Sequence, residues 1–170
     1  MSDIARHLPL SNGPRRDEAS ITSDRREDLA IVCERAAALA RPGDAERFAA
    51  SVRIEVPPSG NDTDRLLAAA ALVRAGRKRA VRQLAAAVRA LIDLAGSRPL
   101  ELPDALTGRV ALYAATRTSF DRRAAIAGHT VRAADADWQF GHGPVIEADA
   151  AQIVAFLLGT SDLPPRSVGA

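Results

Sequence analysis

Apolar positions along the chain fall at two spacings, and the change from one to the other divides it. Leu29, Val32, Ala36 and Leu39 recur every three or four residues, the period of a helix with one buried face. Asp24 stands three residues before Glu27, the spacing of a capping box, and Arg41-Pro42-Gly43 supplies the stop. A helical turn over 44–50 follows. Then Ser51-Val52-Arg53-Ile54-Glu55-Val56 alternates apolar with polar before Pro57-Pro58-Ser59-Gly60, a period of two that predicts a short strand. Asp62 or Thr63 opens a longer helical stripe through Leu66, Ala70, Val73, Ala80, Leu84, Val88, Leu91 and Ala95, closing at Gly96. Glycine inside a helix costs about 1 kcal/mol relative to alanine, so Gly76 predicts a kink or a break into two helices.

Beyond Gly96 the pattern changes. Pro99 and Pro103 bound a linker, and Pro103 suits the first turn of a helix through Leu106, Val110, Tyr113 and Ala114. From Gly128 to Glu147 short apolar groups are punctuated by Gly141, Gly143 and Pro144, which predicts short strands joined by turns. Asp149 stands where it can cap a last helix carrying Ile153, Val154, Phe156, Leu157 and Leu158, ended by Gly159. The expected fold class is α+β. A flexible leader covers 1–22, a helical part with one short strand 23–97, a C-terminal part of short strands and a closing helix 98–160, and a disordered tail 161–170.

At 170 residues the chain is long enough for one substantial core. It is 47% hydrophobic but 4% aromatic, so Ala, Leu and Val must fill that core, which favours helices. One cysteine excludes an internal disulfide and leaves no Cys-x-x-Cys pair for zinc or redox chemistry. No apolar run reaches the roughly 20 residues that span a bilayer, and the first residues lack a signal-peptide core. A cytoplasmic protein with no membrane partner is the expectation.

Net charge is +2, yet its distribution is uneven. Residues 62–98 carry eight basic and three acidic side chains, and Arg74, Arg77, Lys78, Arg79 and Arg82 form a cluster that makes them candidates for binding a polyanion. Residues 133–165 carry five acidic side chains and no Arg or Lys, so the two stretches are also able to neutralise each other. No helix-turn-helix, zinc or aromatic RNA-binding pattern accompanies the basic cluster, which weighs against nucleic acid.

Other candidates lie late in the chain. Asp135 and Asp137 would share a face in a strand, where paired carboxylates perturb each other or hold a cation, whereas in a turn they are ordinary turn formers. Trp138 and Phe140 also share a face, either to pack beneath the last helix against Ile153, Phe156 and Leu157 or to stack on a ligand. His142, between two glycines, reads as exposed. Cys33 lies beside the first apolar stripe with no neighbouring histidine and reads as a small hydrophobe.

The run AGHTVRAADADWQFGHGPVIEADAAQIVAFLLG, with its Asp135-x-Asp137-Trp138 and Gly141-x-Gly143-Pro144 spacing, resembles the closing segment of the actinobacterial maleylpyruvate-isomerase-like, mycothiol-dependent family. The resemblance implies a helical bundle holding a divalent metal, a smaller α/β portion, and thiol-dependent isomerisation or transfer with mycothiol. The metal residues of such a bundle are histidines and a carboxylate, but His7, His129 and His142 all lie outside the predicted bundle helices, and Val88-Arg89-Ala90-Leu91 stands where a ligand histidine belongs. No metal site is therefore expected. The leading expectation is a metal-free, divergent relative that binds a small molecule or regulates. The alternatives are an active mycothiol-dependent isomerase or transferase, and an interaction protein using the basic helix on an acidic partner or nucleic acid.

Overall fold

The computed structural model describes residues 24–167, and the leader expected over 1–22 lies outside them. Seven helices and a four-stranded sheet share one hydrophobic core among these residues. The α+β class is as the spacing predicts.

Helix α1 (Arg26–Leu39) buries Leu29, Val32, Cys33 and Ala36 and packs most extensively on α3 (Asp62–Ala75). Asp24 accepts from the Arg26 backbone N–H at 3.1 Å, but Glu27 does not reach back to complete a capping box. Its carboxylate takes hydrogen bonds from the Arg74 guanidinium instead, which hold it below its usual titration range. Helix α2 (Asp44–Val52) starts after Gly43, and α4 (Val81–Ala95) follows α3. The break at Gly76 is the one the sequence predicts: α3 ends there, and Arg26 Nη1 donates to its carbonyl at 2.8 Å.

The strand expected over 51–56 does not form. Phe48 and Val52 are spaced four apart and both buried, so the helical period runs through Val52, and Arg53 then reverses the chain in the left-handed region at φ 57°. Ile54 and Val56 remain half-buried against the core, with no neighbouring strand to complete a ladder. Arg65 fastens this loop: its buried guanidinium donates to the Pro57 carbonyl at 2.7 Å and pairs with Glu46.

Helix α5 (Asp104–Ala115) follows Pro103 and is joined by a short turn to α6 (Phe120–Ile126). Strands β1 (Thr130–Ala133), β2 (Gln139–Gly141), β3 (Val145–Ala148) and β4 (Arg166–Ser167) form a sheet in the order β2-β1-β3-β4. β1 pairs antiparallel with β2 and parallel with β3, so that Val131 lies beside Ile146, both buried. Helix α7 (Ala150–Leu158) packs on α5. The tail expected to be disordered from residue 161 instead supplies β4, because Pro165 is buried and Ser167 and Arg166 pair antiparallel with Ile146 and Glu147.

Candidate ligand-binding groove

Two positions in one turn of the C-terminal part are held so tightly that only glycine fits. At Gly141, φ is 87° and a Cβ would lie 2.3 Å from the His129 carbonyl oxygen; at Gly143, φ is 111° and a Cβ would lie 2.1 Å from the Gly128 carbonyl oxygen. The Gly-His-Gly turn therefore lies directly on the Gly128-His129 backbone, and His142 and His129 line the same groove. His129 Nδ1 donates to the Ala127 carbonyl at 3.0 Å, which leaves Nε2 as the ring's free nitrogen.

The groove has a volume of about 780 Å³. Leu112 and Ala115 of α5 form one wall, Phe120, Ala124 and Ile126 of α6 another, and Phe140 of β2 the third. Leu112 is 57% exposed and Phe120 76%, unusually open for side chains of this size, and α6 buries none of its residues. What keeps so exposed a helix in place is Arg122. Its guanidinium donates to the Phe156 carbonyl at 2.6 Å and to the Ser161 carbonyl, pairs with Asp162 at 2.5 Å, and lies 5.0 Å from the centre of the Phe156 ring. Arg123, the next residue, lines the groove and makes no ion pair among the described residues.

Among the residues singled out in the sequence, His142 and Phe140 line this groove, whereas Asp135, Asp137 and Trp138 are not among its lining residues. Asp135 and Asp137 lie in the bend between β1 and β2 rather than in a strand, so they do not form a paired-carboxylate face. Asp135 Oδ1 accepts from the Ala150 backbone N–H at 2.7 Å and thereby caps α7, the task that sequence position assigns to Asp149, whose side chain makes no cap bond. Trp138, expected beneath α7, is half-buried against the core and makes specific contacts with α5 and β2. Its ring lies against Gly108 of α5, its Nε1 donates to Thr107 Oγ1 at 3.0 Å, and it stacks on Phe140 with centroids 6.2 Å apart. It thus supports the groove from behind its Phe140 wall.

The basic cluster is likewise divided. Arg74 is held by Glu27 and Glu34 of α1, so its guanidinium binds its proton more tightly than usual. Arg79 turns partly inward with its Nε buried and unpartnered, while its backbone N–H donates to Asp24 at 3.2 Å. Arg77, Lys78 and Arg82 remain exposed and unpaired among the described residues. The acidic residues late in the chain do not neutralise this cluster: Glu147 pairs with Arg132 and Asp162 with Arg122.

Cys33 is fully buried, and desolvation pushes its thiol up to about 12, which denies it the thiolate needed for nucleophilic chemistry. Among the described residues no three His, Cys, Asp or Glu side chains converge as a metal ion requires, and no helix is long and apolar enough to cross a membrane. Sequence reasoning missed Leu112, Phe120 and Arg123. The one available signal was the pair of glycines around His142, which marks a backbone packed too closely for any side chain. No protein-family model, curated protein or solved structure matches the chain.

Proposed function

We propose that this is a cytoplasmic small-molecule-binding protein whose ligand lies in the groove between α5, α6 and β2. The observation that carries the reading is the convergence of exposed Leu112 and Phe120 with Phe140 on a cleft of about 780 Å³, a size suited to a small organic ligand. A second cavity, by contrast, is lined by the charged side chains of Arg41, Asp44, Arg47 and Asp93. The C-terminal motifs that carry the maleylpyruvate-isomerase-like resemblance are the ground, in this proposal, for treating the chain as a divergent, metal-free relative of that family. In this reading the C-terminal scaffold serves binding or regulation.

The test uses N-phenyl-1-naphthylamine, a neutral apolar dye that brightens when it leaves water. Saturable binding of one dye per chain, lost in Leu112→Asp with the helical circular dichroism intact, is expected. Dye binding that is absent, or unchanged in Leu112→Asp, would remove the groove as the site. Displacement of the dye by mycothiol would favour the thiol-dependent enzyme over a binding protein.

A further inference from the structure

The groove is lined mainly by apolar side chains, and the charge on its lining is of one sign among the described residues. Its charged lining residue is Arg123, accompanied by His129 and His142, and among the described residues no aspartate or glutamate lines it. The two adjacent arginines have opposite fates: Arg122 is consumed by Asp162 and two carbonyls, whereas Arg123 has no partner among the described residues. This exposed, unpaired guanidinium stands beside the apolar walls, where it can meet an anion entering from solvent. Its planar fork matches a carboxylate. His142, in the glycine turn, lines the same groove and is able to donate from either ring nitrogen, depending on its tautomer.

Resting on the groove reading above, we propose that the ligand is a free anionic amphiphile: an apolar or aromatic body seated between Leu112, Phe120 and Phe140, with a carboxylate held at the mouth by Arg123 and His142. The apolar walls supply affinity in proportion to the area they cover, and the rim selects the sign of the head group. A cationic amphiphile of the same body would meet the same walls but repulsion at the mouth. A neutral alcohol would gain the walls alone.

The bound dye is displaced in parallel with decanoate, decanol and decyltrimethylammonium, each below its micellar concentration. Because the charged head group adds a hydrogen bond to Arg123, decanoate should displace the dye at a concentration roughly tenfold below decanol, with the cation weakest. In Arg123→Gln the ratio between decanoate and decanol, measured within that variant, should fall toward one, and Arg123→Lys should restore part of it. Equal potency of acid and alcohol in the native chain would overturn the anion proposal while leaving the groove as a binding site. Failure of the dye itself to bind would overturn both. Two further results also count against it: cosedimentation with phosphatidylglycerol vesicles without decanoate displacement places a membrane surface on the groove, and a dimer dissolved by Leu112→Asp places a second copy there.

Discussion

Trp138 and Thr107 are joined by an indole N–H donating to a threonine hydroxyl at 3.0 Å across 31 residues of sequence. Thr107 is buried and passes its own proton to the Asp104 carbonyl at 2.9 Å, so the bond ties the bend after β1 to the first turn of α5. The ring can reach Thr107 because residue 108 has no side chain: a Cβ there would lie 3.1 Å from Trp138 Cγ.

Gly108→Val should therefore push the indole off α5. Overpacking of this kind destabilises by about 1–3 kcal/mol, to be read from urea unfolding followed by circular dichroism. Trp138, the one tryptophan, should shift its emission to the red in the same variant. An unshifted spectrum would show that the ring does not depend on the gap at Gly108. Because Trp138 is only partly buried, Trp138→Ala should cost less than the roughly 3–5 kcal/mol of a fully buried aromatic.

Asp135 and Asp149 provide a paired test of which residue caps α7. Loss of a side-chain cap costs about 0.5–2 kcal/mol. Asp135→Ala should lose that much, since Oδ1 satisfies the first backbone N–H of the helix, whereas Asp149→Ala should fall near the lower end or below it. Equal losses in thermal unfolding would contradict the assignment.

Cys33 sets an alkaline limit. Its thiol is pushed from an ordinary 9.0 to about 12 by burial. Below pH 9 both folded and unfolded chains keep the proton, so the full contribution is present. Between 9 and about 12 only the unfolded chain ionises, and stability falls as pH rises. The urea midpoint should decline over that window more steeply in the native chain than in Cys33→Ala; parallel declines would show that other groups govern the alkaline side.

The exposed basic residues and the paired one should separate under mutation. Replacing Arg77, Lys78 and Arg82 together with Gln should leave stability within about 0.5 kcal/mol, as for ordinary surface changes, and should abolish any binding of mixed-sequence DNA or RNA seen by fluorescence anisotropy at low salt. Arg74→Gln should weaken the contact of α3 with α1, because it unpairs Glu27 and Glu34. Polyanion binding that survives the triple substitution would remove this turn as its site.

The helical half was legible where one period dominates. Leu29, Val32 and Ala36 lie in α1, Leu84, Val88 and Leu91 in α4, and Gly76 at the break, all as their spacing predicts. The alternation of Val52, Ile54 and Val56 misled because a helix end followed by an extended loop imitates a period of two over a few residues. Helix α6 was invisible for a different reason: it buries nothing, so Phe120 and Ile126 leave no stripe. The groove was obscured for the same reason, since Leu112 and Phe120 stand on faces that the core pattern treats as polar. Asp135 and Asp149 changed roles because capping depends on which oxygen reaches Ala150, a fact of the folded bend and not of distance along the chain.

The alanines that fill the bundle divide the molecule by its capacity to evolve. Ala30, Ala36, Ala37, Ala69 and Ala70 are almost wholly buried on α1 and α3, and a position filled by a single methyl leaves little choice: glycine loosens the helix, and anything larger forces the neighbours apart. New specificity in that half requires several coordinated replacements. In the groove, Leu112, Phe120 and Arg123 face open solvent, so each can change alone with the framework unaltered. Diversification by single steps is therefore concentrated on the face where the ligand is proposed to bind, while the bundle behind it is held to its present sequence by its own tight packing.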